Sequence, residues 1–342
     1  MGVAISDILV KHETKLKDHK GERVSIDGYN IIYQFLSSIR QPDGTALMDH
    51  NGHVTSHLSG LFYRTMNLID AGIKPIYVFD GKPSVLKNRT IEERRLIKEK
   101  AKIELEEAIA AGEQEKIRSL SSRINYISKD MVDESIELLN SMGIPSVTAP
   151  SEGEAFASAM CLQGLVNGVV SQDYDCLLFG APTVYRNFTL FGRRKVPGRS
   201  IYVNVSPEVI YLRENLETLG TTREQLIYIG IMVGTDFNKG LKKVGAKTAL
   251  KLIKKYGDIH SVLKERNETI DNLDEVIELF MNKLDVSKVD ISLRKPDREK
   301  ILHFLCDKHD FSPERIKPYI ETLESSFGNL SQSSLDIFGT DN

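Results

Sequence analysis

The apolar positions of this chain change period repeatedly, and each change marks an element. Short strand-like runs occur at Arg23-Val24-Ser25-Ile26, Pro75-Ile76-Tyr77-Val78-Phe79, Ile144 to Val147 and Gly168-Val169-Val170-Ser171. Between them, apolar residues recur at helical spacing: Ile31, Ile32, Phe35 and Leu36, then Leu58, Leu61, Phe62, Met66, Leu68 and Ile69, then Met131 to Met142 and Glu154 to Leu165. A turn signal at Pro42-Asp43-Gly44 separates the first two helices. Strands alternating with helices predict an α/β fold with a mostly parallel central sheet flanked by helices. Beyond Ser206 the pattern is almost wholly helical, and from about Ser325 it is polar and loosely ordered.

One stretch breaks the alternation. From about Ile91 to Ala111 the spacing is helical but polar, Gly112 interrupts it, and a second short helical piece follows. Neither piece has a continuous wide apolar face, so both are expected to project from the core as a helical cap. The expected organisation is an N-terminal region over 1–105 that includes the start of the cap, the rest of the cap over 106–128, and an internal region over 129–256. A C-terminal helical region over 257–324 and a flexible tail over 325–342 complete it.

Composition excludes several classes. With 342 residues, 41% hydrophobic and 27% charged, the chain can bury a sizeable core. No apolar run approaches the roughly 18 residues of a membrane span. Cys161, Cys176 and Cys306 are odd in number and lack C-x-x-C spacing, which argues against a disulfide framework or a zinc cluster. A cytoplasmic, nucleoid-associated location is expected.

The net charge of −3 conceals an uneven distribution. From Phe237 to Tyr256 there are seven lysines and no acid, and Lys82 to Lys102 carries an excess of five positive charges. Arg193, Arg194, Lys195 and Arg199 form a third group. Three such runs point to a polyanion held by its phosphates.

Seven carboxylates form the opposing feature. Asp27 and Asp80 each follow a strand-like run, where open α/β sheets place ligands. Glu152-Gly153-Glu154 opens a helix-like segment, Asp173-Tyr174-Asp175 follows a strand, and Asp236 stands alone. Acid-x-acid spacing in a strand or its extension would point both side chains to one face. So many carboxylates in one site repel one another unless cations are present, and oxygen-rich sets favour Mg²⁺ or Mn²⁺. Two such ions suit phosphodiester hydrolysis. Lys87 and Arg94, seven apart, would share one helical face just after Asp80. Residue patterns alone also admit a Mg²⁺ phosphatase or a non-catalytic DNA adaptor.

Several motifs together resemble the flap endonucleases, structure-specific nucleases of the 5′ nuclease superfamily. They are Met1-Gly2-Val3, Ile26-Asp27-Gly28, Arg40-Gln41-Pro42-Asp43-Gly44, Val78-Phe79-Asp80-Gly81-Lys82-Pro83, Ala149-Pro150-Ser151-Glu152-Gly153-Glu154-Ala155, Ser171-Gln172-Asp173-Tyr174-Asp175 and Val233-Gly234-Thr235-Asp236-Phe237-Asn238. The resemblance runs nearly end to end and is closest to archaeal-type members. It implies a PIN-like core and cleavage of 5′ flaps during Okazaki fragment maturation and base excision repair, with 5′ to 3′ exonuclease activity. A sibling 5′ exonuclease or junction resolvase is the alternative within the superfamily. Asp27, Asp80, Glu152 and Glu154 are implied to hold one Mg²⁺, and Asp173, Asp175 and Asp236 a second, with Mn²⁺ able to substitute. Lys87 and Arg94 would contact the scissile phosphate, Tyr33 would stack on a base, and Gly2 and Arg40 would be further DNA contacts.

Two further segments resemble family elements with departures. Gly240 to Leu250 is similar to a helix-hairpin-helix, in which Lys242, Lys243, Gly245, Lys247 and Lys251 would grip duplex DNA. Lys243 replaces a glycine common there, which argues against a tightly formed hairpin and its usual monovalent-cation site, and Ala246 replaces a usual proline. Gln332, Leu335 and Phe338 are spaced like a sliding-clamp box, although Gly339 stands where a second aromatic usually follows. The expected partners are branched DNA and a sliding clamp, and the expected state is a monomer without membrane association.

Overall fold

The computed structural model describes residues 2–41, 44–113, 116–117, 120, 126–189, 192–195 and 202–335, with backbone alone at 192–195, 202–204 and 329–335. A seven-stranded sheet has the order β1-β9-β6-β5-β2-β3-β4. Its strands are β1 (His12–Glu13), β2 (Arg23–Asp27), β3 (Lys74–Phe79), β4 (Ser146–Thr148), β5 (Gly168–Val170), β6 (Thr183–Arg186) and β9 (Glu208–Tyr211). The five from β6 to β4 are parallel, and β9 and β1 add antiparallel strands at one edge. Strands β7 (Gly192–Lys195) and β8 (Tyr202–Val205) pair as a separate antiparallel ribbon.

Alternation along β3 shows why both faces are covered. Ile76 and Val78 enter one core with Phe156, Val169, Leu177 and Ile229, whereas Tyr77 and Phe79 enter the other with Val24, Ile26, Phe35 and Phe62. Period 2 in a strand sends successive side chains to opposite faces. A parallel sheet covered by helices on both faces therefore reads as one continuous apolar run. Helices α1 (Gly28–Ser38) and α2 (Ser56–Asp70) cover the second face. The C-terminal helical region divides: Ile259, Val276, Phe280 and Val286 join the first core, and Ile301, Phe304, Ile316 and Ile320 the second.

Helix α3 (Asn88–Ala110) departs from this pattern. Its Ile97, Ile103 and Ile109 are exposed, and Ala101 and Ala108 pack in a small cluster with Leu120, apart from both main cores. That is the projecting cap expected from the polar periodicity. Its second piece and the Pro42-Asp43-Gly44 turn fall largely outside the described residues.

Beyond Ser206 the described elements are helices, as expected, apart from β9, which lies between β6 and the edge strand β1. Its pairing with β6 is a long-range feature that local periodicity does not carry. Two expectations are corrected. Asp173-Tyr174-Asp175 is no strand extension but a turn leading into the short helix Asp175–Leu178. The tail does not loosen at Ser325, since the helix Pro313–Leu335 continues past it.

Candidate active site

Strand order explains where the carboxylates gather. The chain adds β3 and β4 on one side of β2, then crosses to add β5 and β6 on the other. The crevice at that switch point, outside the carboxyl ends of β2 and β5, is where open α/β sheets bind ligands. Asp27 ends β2, Asp80 follows β3, and Asp173 and Asp175 follow β5.

Apart from Asp27, each side chain is held by a neighbour from another segment of the chain. Asp27 caps α1, its Oδ1 accepting from the Asn30 amide at 3.0 Å. Asp80 Oδ1 accepts from the Gly153 amide at 2.6 Å, and a Cβ on Gly153 would stand 2.7 Å from that oxygen, so the Glu-Gly-Glu sequence needs its glycine. Glu152 precedes the helix Gly153–Leu162 without capping it. It turns instead to the Ser84 amide (3.2 Å) and Lys87 Nζ (2.5 Å). Glu154 accepts from Ser171 Oγ at 2.8 Å. Asp173 Oδ1 and Asp175 Oδ1 accept from the Gly2 and Val3 amides at 2.8 and 2.7 Å. A Cβ on Gly2 would meet Asp173 Cβ at 2.6 Å, which restricts that position to glycine.

Arg94 Nη2 contacts both oxygens of Asp236 at 2.6 and 2.7 Å, and Lys87 Nζ lies 3.9 Å from the same carboxylate. Lys87 also lies over the Phe237 ring, 5.7 Å from its centre. The single helix expected through Lys87 and Arg94 is a 3₁₀ turn, Val85–Lys87, followed by α3. Both cations nevertheless converge on Asp236.

Burial and mutual repulsion set the electrostatics. Burial, with the charge of Asp80, pushes the Asp27 carboxyl up to about 7. Burial, against the Val3 amide and with the charges of Asp173 and Asp236, pushes Asp175 up to about 7. Glu154 is driven well above its ordinary range by burial and by Asp175, Asp173 and Asp27. Burial also raises Asp80, with Glu152 adding to it and the Gly153 amide and Lys87 opposing. Burial alone would lower Lys87, but Glu152, Asp80 and Asp236 raise it. Charges of one sign cannot all persist so close together unless cations balance them. Among the described residues, no three His, Cys, Asp or Glu side chains close on a single point; the oxygens are turned toward amides, hydroxyls and the two cations. Concavities of about 600, 660 and 560 Å³ lie elsewhere on the molecule.

The remaining sequence candidates surround this centre. Tyr33 is exposed on α1, and Arg40, where α1 ends, donates to the Gly44 carbonyl at 2.9 Å. Lys243 adopts φ 58°, the left-handed conformation, and the Val244 amide closes the turn onto the Leu241 carbonyl at 3.3 Å. The hairpin thus forms without its usual glycine. Gly245 then precedes the helix Ala246–Tyr256, whose Ala246, Ala249 and Ile253 face the core while Lys247, Lys251 and Lys254 face outward. Lys242 and Lys243 are exposed on the turn. Gln332 and Leu335 belong to the last helical turns, whereas Phe338 and Arg199 lie outside the described residues.

Sequence reasoning missed Asn30, Ser171, Thr90 and Asn238. Asn30 Nδ2 reaches Asp173 at 3.2 Å, and Thr90 Oγ1 donates to the Asp236 carbonyl at 2.6 Å. Asn238 ties the loop bearing Asp236 to Thr235 Oγ1 and to the Ile231 carbonyl, both at 2.7 Å. Asn30, one turn past Asp27, offered a local signal. Asn238 likewise acts within its own segment, whereas Thr90 and Ser171 reach other segments and offered none.

Known proteins resemble this chain over nearly its whole length. Residues 1–101 match the XPG N-terminal domain and residues 143–236 the XPG I-region. A flap endonuclease 1 of Picrophilus torridus is 61% identical over 338 residues, covering 99% of this chain and all of that protein. One of Methanothrix thermoacetophila is 50% identical over 98% of this chain and 99% of its own length. A solved flap endonuclease-1 from Methanococcus jannaschii superposes with a TM-score of 0.77 at 41% identity, covering 96% of this chain and 99% of that one. The catalytic core of Rad2 in complex with DNA substrate shares the fold, with a TM-score of 0.70 at 24% identity over 94% of this chain and 100% of that one.

Proposed function

This chain belongs to the flap endonuclease family, and on that premise we propose how its own residues divide the work. Its activity is that of a metal-dependent 5′ flap endonuclease, a hydrolase of DNA phosphodiester bonds in replication and repair. Mg²⁺ is the cation general to the family. Two ions per chain, with Mn²⁺ as a substitute, belong to the proposal.

The buried carboxylates fit such ions, because Asp27, Asp80, Glu154 and Asp175 all hold protons too tightly when no other cation balances them. Asp27, Asp80 and Glu152 would hold one ion and Asp173, Asp175 and Asp236 the other. Glu154, expected with the first set, is raised chiefly by Asp175 and Asp173 among its charged neighbours and would stand between the two. When bound, the ions supply a nucleophilic water at neutral pH and stabilise the leaving oxygen.

The remaining tasks fall to side chains. Lys87 and Arg94 rest on Glu152 and Asp236 in the free protein, and an incoming phosphate would draw them to the charge that builds during cleavage. Exposed Tyr33 would stack on a base beside the cut, with Gly2 and Arg40 as further contacts. Lys242, Lys243, Lys247 and Lys251 would hold duplex phosphates together with the backbone amides near Gly245. The same site would degrade nicked duplexes from the 5′ end. Gln332, Leu335 and Phe338 would bind a sliding clamp.

The observation that carries this reading is the gathering of acids from five chain segments at the carboxyl ends of the central strands, with Lys87 and Arg94 laid against Glu152 and Asp236. Labelled double-flap DNA with Mg²⁺ should be cut at the flap base. Asp80→Ala and Asp175→Ala should lose cleavage yet bind the same DNA in Ca²⁺. Cleavage at a normal rate by either variant would remove the two-metal assignment.

A further inference from the structure

Among the described residues, the cap has few attachments. Its apolar side chains pack chiefly within their own small cluster, and its base meets the rest of the protein at the loop bearing Asp236. Lys87, ending the 3₁₀ turn, and Thr90 and Arg94, one turn apart on α3, all reach Asp236. Two of the three are charged, and their partners are the acids Glu152 and Asp236. Thr90 differs: its hydroxyl donates 2.6 Å to the backbone carbonyl of Asp236. The loop that carries this carbonyl is itself fixed, with Thr235 Oγ1 on Asn238 Oδ1, the Phe237 amide on Thr235 Oγ1 at 3.1 Å, and Asn238 Nδ2 on the Ile231 carbonyl. The exposed pair of Lys239 with Glu93 at 3.5 Å adds little, since solvent screens it.

This difference matters when a phosphate arrives. Ion pairs from Lys87 and Arg94 to the acids compete with the phosphate and are lost when it draws the cations away. A bond from a hydroxyl to a main-chain carbonyl has no charge to be competed for. We infer that Thr90 is a positioning residue for the cleavage reaction, the uncharged pin that keeps the first turn of the cap docked on the Asp236 loop while Lys87 and Arg94 move to the phosphate. The inference rests on the reading of those two cations as acting on the phosphate.

The test is single-turnover cleavage of double-flap DNA at saturating enzyme, with affinity measured separately in Ca²⁺. Thr90→Val keeps the shape and removes the hydroxyl; it should slow cleavage about tenfold, the scale of one lost hydrogen bond, with affinity unchanged. Thr90→Ser restores the donor and should return the rate to within about twofold of wild type. In a Lys87→Ala, Arg94→Ala background, Thr90→Val should change the rate by less than about twofold, because nothing is left for it to position. A wild-type rate for Thr90→Val, an equal loss in Thr90→Ser, or an undiminished loss in the doubly truncated background would overturn the inference. If Arg94→Ala alone alters affinity but not rate, the underlying reading of the cations fails instead.

Discussion

Asp27 and Asp175, each pushed up to about 7, make the metal-free protein sensitive to pH. Unfolded, such carboxyls ionise near 4. Between about pH 4 and about pH 7 the folded state therefore holds more protons than the unfolded one, so these groups withdraw stability as pH rises through that window. In chelator, the melting temperature should fall by on the order of a few degrees from about pH 5 to about pH 8. Mg²⁺ should restore more at the upper end than at the lower, because it replaces the proton as the balancing charge. Asp175→Asn should flatten the slope in chelator, and calorimetry at the two pH values decides it; an equal slope in the variant would remove the assignment to Asp175. At this scale the sequence was informative where a residue ends a strand, as with Asp27 and Asp80. It was less informative for Asp173 and Asp175, because a turn rather than a strand presents them. Tyr174 between them is buried, its hydroxyl donating to Ser6 Oγ at 3.0 Å and accepting from Arg186 at 2.6 Å.

Among the elements, the hairpin before the helix Ala246–Tyr256 departs most from expectation. Lys243 predicted a looser turn, yet the residue takes the left-handed conformation at φ 58° and the turn closes. A β-carbon in that conformation costs about 1 kcal/mol, which the packing of Leu241 and Val244 against the core offsets. Lys243→Gly separates backbone from charge. It should raise the melting temperature by roughly 2 °C through relief of the turn, and it should lower the salt dependence of duplex binding by about one unit through loss of a phosphate contact. Unchanged melting would mean that the turn is not strained, and an unchanged salt slope that Lys243 does not touch phosphate. The cap, by contrast, was legible as an element because polar helical periodicity is a local property. That its first turn docks on Asp236 was not, since a threonine on a polar helix face is indistinguishable from any solvated one.

Over the whole molecule, strand order was the property least available from the chain. The alternation of elements implies a parallel sheet, but nothing local says that β5 passes beyond β2 rather than beside β4, and that crossing brings Asp27 beside Asp173. The far end of the chain shows a second long-range consequence. Ile316, Ile320 and Leu323 bury one face of the helix Pro313–Leu335 in the core shared with α2, and Tyr319 packs edge-on against Phe62 and Tyr63. Past Leu323 the helical backbone continues to Leu335, which carries Gln332 about 14 Å and Leu335 about 18 Å further at 1.5 Å per residue. A helical arm holds its end at a set distance from the active site, where a flexible tail would spread it over a wide volume. If this arm delivers the clamp box, binding should raise the enzyme's local concentration at a primer end without altering the site itself. Phe338→Ala should then abolish stimulation by the cognate clamp and leave unassisted flap cleavage unchanged. Gly339→Phe should tighten clamp binding, because a second ring adds apolar area to the same pocket. Calorimetric titration of the clamp with the wild-type protein and both variants discriminates these outcomes, and three equal affinities would show that the clamp does not read these residues.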